Sequence, residues 1–455
     1  MRRRNKNSSW PILLLLAAIA GGGVYLYNAP IIERDNPIVA ISGNSYWNLK
    51  SPLAVRVDDQ SGIKRYKVTM KTSEETVELA SEEFMEPQKT VQIEVSAPKR
   101  LMRLKDEAVT ISVEATDASK WNFFAGNSVT ESKLFKVDTT RPMLSRISNS
   151  YGIRKGGSAL VVFRAEDPNM KEFYIDTNFG KRFKAQPFVK EGYYVALIAW
   201  PVMEESFRAT LVAEDMAGNI TRTSVPLYLK DATYRERKLQ LSENYLEGKI
   251  AQLAEDYPET QGVAGRIPQF KVINEDVRKA NEKLIHETTS KVPDEMVESF
   301  SITPFYPLKN GQNLGGFGDY RHYIHNGNEV SVAYHLGVDL ASIRQAPILS
   351  QNSGEVVYVG YNGIYGNMPI IHHGMGLYTL YAHCSSVNVH EGEQVAPGTV
   401  IGKTGTTGSV LGDHLHFGVL VQGVDVRPQE WMDKQWIRLN VTEVMESAKQ
   451  FISRQ

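Results

Sequence analysis

The chain has 455 residues, and its 51 Lys plus Arg against 52 Asp plus Glu give a formal net charge of −1. That balance excludes the basic footprint of a nucleic-acid binder, and a single cysteine, Cys384, excludes any internal disulfide. At about 100–200 residues per domain, the length predicts three or four domains with real cores.

In chain order, Arg2, Arg3, Arg4 and Lys6 precede an uncharged apolar run from Trp10 to Tyr27, about the length that spans a bilayer. The expected arrangement is a cytoplasmic basic segment at 1–9 and a transmembrane anchor at 10–28. Basic residues at its leading end put the bulk of the chain outside the cytoplasmic membrane, in the periplasm or cell-wall space. A cleaved signal peptide is the competing reading, because Ala18-Ile19-Ala20 fits a small-x-small cleavage pattern. The apolar run continues past it, which favours retention.

Residues 37–138 and 139–231 alternate apolar strands with polar turns and contain an internal repeat. VRVDDQSGIKRYKV around Asp59 is echoed by FRAEDPNMKEFYI around Asp167, and EATDASKWN around Asp117 by VAEDMAGN around Asp215. The offset of about 100 residues is the size of one immunoglobulin-like sandwich, so two such domains are expected, with Pro142 opening the second. The Asp-rich turns read as side-chain-capped turns, with calcium binding the rarer alternative.

The texture turns helical at 232–299. Leu246, Ile250 and Leu253 fall on one helical face and, after a break at Tyr257-Pro258, a second segment starts near Asn274 with Val277, Ala280, Leu284 and Ile285 together. This predicts a helical linker or hairpin, acting as a spacer or as a cover for whatever follows. Residues 300–435 carry short strands spaced by Gly, Pro and Asn turns, the pattern of an antiparallel β domain. Val444, Ala448 and Phe451 then predict a C-terminal helix within 436–455. The fold class is mainly β.

The chemistry concentrates near the end. In HLGVDLA, His335 and Asp339 are four apart among alternating apolar residues, which favours a strand and puts both side chains on one face. In HLHFGV, His414 and His416 are two apart and share a face, and His383 closes the apolar strand LYTLY. Four imidazoles and a carboxylate match the needs of a catalytic zinc site, with N/O ligands, an open position and nearby bases. Gly402-Lys403-Thr404 is no phosphate loop, since that motif needs Gly five residues before the Gly-Lys pair and Pro397 stands there. His373 reads as structural, and His322, His325, His372 and His390 as surface bystanders.

From about Phe317 to Trp431 the sequence resembles the lysostaphin-like (LytM-type) zinc endopeptidases, which cut the peptide part of peptidoglycan. FGD, HLGVD, IIHHGMGLYTLYAH, GEQVAPGTVIGKTGTTG and HLHF carry the resemblance, in the family's order. It implies that His335, Asp339 and His416 bind Zn²⁺, with His383 and His414 as the unliganded catalytic pair. Tyr365, in the run NGIYGN, is the candidate for a hydrogen bond to the oxyanion. Cys384 stands where the family commonly has Leu and reads as packing, with a sensitivity to oxidation if a metal lies beside it.

The expected function is therefore zinc-dependent hydrolysis of peptide cross-links between peptidoglycan stem peptides, from a membrane tether. No wall-binding module is recognisable, which favours D-amino-acid cross-links of a thin wall over glycine bridges. A latent or non-catalytic regulator of other wall hydrolases, gated by a protein partner, is the alternative, and the five filled positions argue against it. An anchored adhesin would leave the complete site unexplained.

Overall fold

The structure is a computed structural model that describes residues 10–27, 32–101 and 106–455, apart from the side chain of Leu26. The expected basic segment at 1–9 lies outside the described residues. Trp10–Tyr27 forms a helix of 18 residues whose apolar side chains, Trp10, Leu13 and Leu16 among them, are exposed. This is the stretch expected as the transmembrane anchor. Among the described residues, no helix is long and apolar enough to cross a membrane.

The chain divides into two compact units, split mainly at Pro142. The first is a six-stranded sheet in the order Ile38–Ile41, Leu53–Lys71, Ala108–Asp117, Ser128–Val137, Tyr46–Trp47, with Thr76–Val95 also paired to Leu53–Lys71. An immunoglobulin-like sandwich has two sheets, whereas here the hydrogen bonding runs through one. The reason lies in the long strand 53–71. A register shift between Asp58 and Ile63 breaks it, so its first half pairs with 38–41 and its second half with 108–117. Bulges of this kind bend a strand and strengthen its twist. Val55 and Val57 from one half and Val68 and Met70 from the other bury into a single core around Trp47 and Phe135.

The second unit begins with two four-stranded sheets. One has the order Arg182–Phe183, Met170–Thr177, Ala209–Asp215, Ile220–Ser224; the other Gln186–Phe188, Lys190–Ala199, Ser158–Glu166, Met143–Asn149. Phe173 of the first meets Tyr194 and Phe163 of the second at ring separations of 4.1 and 6.1 Å.

The C-terminal part of this unit is an antiparallel sheet of eight strands. Its order is Gln312–Gly315, Val338–Ala341, Leu415–Val421, Leu377–Ala382, Asn367–His372, Gly354–Tyr361, Gln394–Val395, with Val424–Val426 added to Leu415–Val421. Every residue of the central strand Leu415–Val421 is buried, because both faces are covered. Alternation then sends Phe417, Val419 and Val421 one way and His416, Gly418 and Leu420 the other.

The helices of 243–289 cover the face that carries Leu420. Tyr245, Leu246, Ile250, Leu253, Phe270 and Ile273 share one core with Met368, Ile370, Tyr378, Leu380, Ala382 and Leu420 of the sheet. The segment differs from its expected form in two ways. Glu236–Gln240 is a strand, paired parallel to Tyr320–His325, because its alternation of polar residues with Leu239 suits a sheet edge. The second helical stretch starts at Arg266, eight residues before the expected Asn274, directly after Gly265 at φ +90°. The break falls where expected: Tyr257 is extended, as the residue before Pro258 must be.

The chain ends in a helical run from Lys434 to Ile452, capped by Asp433, whose side chain accepts from the Gln435 and Trp436 amides. Val444, Ala448 and Ile452 form its buried face, while Phe451 is exposed. The helical spacing placed Phe451 inside; the face turns one residue further.

Candidate metal centre

Strand pairing sets Asp339 of 338–341 directly opposite His416 of the central strand, and Ala382 opposite His416 on its other side. His383, the next residue, therefore emerges beside them, at φ +66°. His335 does not share a strand with Asp339, as the HLGVD pattern predicted. The strand Asn328–Tyr334 ends just before it, and His335-Leu336-Gly337 forms the turn into the next strand. A bend at Gly337 lies between them, and the two side chains still meet.

Their atoms converge tightly. His335 Nε2 lies 2.9 Å from Asp339 Oδ1 and 2.9 Å from His416 Nδ1, and His416 Nδ1 lies 3.0 Å from Asp339 Oδ1. All three residues are buried or nearly so, and together they could hold a metal ion. Two imidazole nitrogens and one carboxylate oxygen facing a common point suit a borderline cation such as Zn²⁺. Gly337 makes room: a Cβ there would stand 2.6 Å from His416 Nε2 and 2.6 Å from the Phe417 carbonyl.

The surroundings fix which nitrogens face inward. His335 Nδ1 lies 2.8 Å from the Gly316 carbonyl, His383 Nδ1 2.9 Å from the Thr407 carbonyl and His414 Nδ1 2.8 Å from the Gly412 carbonyl. A carbonyl only accepts, so each Nδ1 carries its proton and each Nε2 keeps a lone pair. His414 Nε2 is 3.7 Å from Asp339 Oδ1, and the His383 and His414 rings are 4.9 Å apart.

Arg321 Nη2 donates to Asp339 Oδ2 at 2.8 Å. Spacing gave no signal for Arg321, which reaches the site through the fold alone. Burial raises the Asp339 carboxyl, but His335 and His416 outweigh it and hold it well below the usual carboxylate range. Burial pushes His335 down to about 4 and drives His383 well below the ordinary histidine value, with His414 adding to the effect. These rings are therefore neutral, as ligands and bases must be.

Tyr365 is buried, its ring 5.6 Å from that of His416, and its carbonyl accepts the His383 amide at 2.8 Å. Burial raises its hydroxyl well above the ordinary tyrosine value, so it keeps its proton. The same cleft of about 270 Å³ is lined by all five site residues and Tyr365, and also by Tyr245, Asn274 and Arg278 from the helical segment.

The remaining histidines are engaged elsewhere. His373 is buried between the Ser353 carbonyl and Thr379 Oγ1. His322 pairs with Glu329, His325 with Glu243 and His390 with Glu393, and His372 stacks on Tyr378. Cys384 is fully buried and burial pushes its thiol up to about 12, which removes the thiolate that oxidation requires. In the two Asp-rich repeats, Asp117 Oδ1 accepts from the Ser119 and Asn127 amides, and Asp215 Oδ1 from those of Ala217 and Asn219. These are the capped turns read from the sequence.

Residues 333–428 match the family model described as Peptidase family M23. The chain thus carries a peptidase M23 domain of the LytM type.

Over 94 residues it is 39% identical to the DD-carboxypeptidase/endopeptidase Mpg of Neisseria meningitidis serogroup B, covering 21% of this chain and 22% of that protein. Over 92 residues it is 38% identical to the peptidoglycan DD-endopeptidase ShyA of Vibrio cholerae, covering 20% and 21%. The match thus spans about a fifth of each relative's length. The catalytic domain of lysostaphin from Staphylococcus simulans is 28% identical, covering 27% of this chain and 92% of that one, at a TM-score of 0.24. A score that low supports no structural argument.

Proposed function

We propose that this protein is a zinc-dependent endopeptidase that hydrolyses peptide cross-links of peptidoglycan. The observation that carries the reading is the triangle of His335 Nε2, Asp339 Oδ1 and His416 Nδ1, each side 2.9–3.0 Å. The M23 match and the names of the relatives support the substrate class.

His335, Asp339 and His416 would hold the metal, which supplies Lewis acidity that acidifies water and polarises a carbonyl. The chain's own groups do the rest. His383 and His414 present free Nε2 lone pairs to the cleft and take the proton of the attacking water, then return it to the leaving amine. The Tyr365 hydroxyl, protonated in its buried site, donates to the oxyanion that develops on the scissile carbonyl. Arg321 holds Asp339 in place from behind, fixing the carboxylate that faces the metal.

The proposed location is the wall space outside the cytoplasmic membrane, where the substrate lies. The exposed apolar helix 10–27 is the proposed attachment to the envelope. The second reading, a latent or non-catalytic regulator released by a protein partner, draws support from the helical segment that lines the cleft. Because those helices share a core with the sheet, they are a wall rather than a detachable plug, and cutting them away would expose Met368, Tyr378 and Leu380.

Mass spectrometry of fragments released from purified peptidoglycan, with and without a chelator, tests the two. Chelator-sensitive loss of cross-linked dimers is expected and would identify the bond. Absence of release by a zinc-loaded chain would overturn the enzyme reading in favour of the regulator.

A further inference from the structure

The catalytic cleft has a charged group that its chemistry does not use. Arg278 enters from the helix Arg278–Thr289, outside the stretch that matches the M23 family, and lines the same cleft as the four histidines. Its guanidinium is held in a set orientation. Nε and Nη2 donate to Asn274 Oδ1 at 3.2 and 2.8 Å. Asn274, itself buried, donates to Ser331 Oγ at 2.9 Å, and Ser331 in turn donates to Glu275 at 2.9 Å.

What remains unsatisfied is Nη1. Glu282 Oε1 stands 4.0 Å from it, beyond hydrogen-bond reach. Burial raises the Glu282 carboxyl, and Arg278 opposes that rise. Glu282 does not line the cleft; the other guanidinium that does, Arg321, gives its Nη2 to Asp339, while its Nε is buried without a partner among the described residues. Nη1 of Arg278, with no hydrogen-bond partner among the described residues, is a donor available to a ligand in the cleft. The planar fork of Arg278 matches a carboxylate in a way that a hydroxyl or amide does not. Tyr245 and Tyr323 stand on the same cleft wall as further hydrogen-bonding groups.

We infer that Arg278 is a specificity residue, which binds a free carboxylate of the peptide substrate near the scissile bond. The inference rests on the peptidase reading and adds to it a substrate class: peptides with an ionised carboxylate close to the bond that is cut. It also gives the helical segment a part in substrate selection.

The test uses the full chain, zinc-loaded, and two cross-linked stem-peptide dimers that differ only in whether the carboxylates flanking the cross-link are free or amidated. The wild type is expected to cleave the free form with a kcat/KM roughly tenfold to hundredfold higher, the range of one charge-assisted hydrogen-bonded pair, mainly through KM. Arg278→Gln should erase that preference while keeping zinc content and the rate on the amidated dimer, and Arg278→Lys should restore part of it. Equal cleavage of both dimers by the wild type would overturn the assignment and leave the peptidase reading intact. A variant that lost both activities in parallel at unchanged zinc content would overturn it too. Cleavage of neither dimer by the wild type would overturn the peptidase reading and the assignment together. The wild-type comparison stands even if Arg278→Gln fails to fold.

Discussion

His335, His383 and His414 each give their Nδ1 proton to a backbone carbonyl, so three rings offer Nε2 to the cleft while His416 alone offers Nδ1. The two members of HLH therefore differ in more than position. His416→Ala should abolish both zinc binding and hydrolysis, whereas His414→Ala should keep zinc and lose about 10²- to 10⁴-fold in kcat, the range of a general acid–base group. Metal content by mass spectrometry beside the turnover assay checks this, and the reverse pattern would swap the two roles. Gly337 offers a second test at this scale. Its substitution by Ala forces a contact with His416 and the Phe417 backbone, at the cost typical of overpacking, about 1–3 kcal/mol. Gly337→Ala should lower both the melting midpoint and zinc affinity; a variant with native zinc affinity would show that the turn relaxes.

Asn281 links the helical segment to the loop that presents Tyr365. Its Oδ1 accepts the Ile364 amide at 3.0 Å and its carbonyl accepts from Asn362 Nδ2 at 3.2 Å. Asn281→Ala leaves the Ile364 amide buried and unpaired, which costs about 1–3 kcal/mol. The expected outcome is a lowered kcat with zinc content intact, because Tyr365 and the His383 backbone are joined through that loop; urea denaturation and turnover on one preparation check it. The hydrophobic spacing of Leu246, Ile250 and Leu253 identified a packed helical face, and all three are buried. It carried no information on what the face packs against. The strand 236–240 escaped notice because its pairing partner, 320–325, lies some eighty residues away, beyond the reach of local pattern.

Within the second unit, Glu430 in the C-terminal part accepts the amide of Ser158, at the start of the strand Ser158–Glu166, at 3.0 Å. Burial pushes its carboxyl up to about 7 from the usual 4.5, against the pull of Arg427, Arg154 and Lys230. The folded state thus holds the proton more tightly than the unfolded one. The resulting stability is fully present below about pH 4.5 and is lost as pH rises through about 7, to a total of roughly 3 kcal/mol at most. Glu430→Gln keeps an acceptor for Ser158 and removes the titration. Denaturant midpoints of the wild type should fall between pH 5 and 8, while those of the variant stay level; parallel curves would show that Glu430 does not link stability to pH.

The sequence by itself determined the site's chemical inventory. HLGVD, YAH and HLH name five side chains whose spacing and company suit a metal and two bases, and strand periodicity makes the domain β. It also marked the capped Asp turns and the pre-proline helix break, since those follow from each residue's immediate neighbours. Tertiary structure alone decided that His335 reaches Asp339 from a turn, that Arg321 and Arg278 flank the site, and that residues 38–137 pair as one continuous sheet. The difference is one of range. His335 and His416 meet across 81 positions of chain, and such contacts depend on how strands order themselves in a sheet and which face a helix covers, quantities fixed by the packing of the whole core.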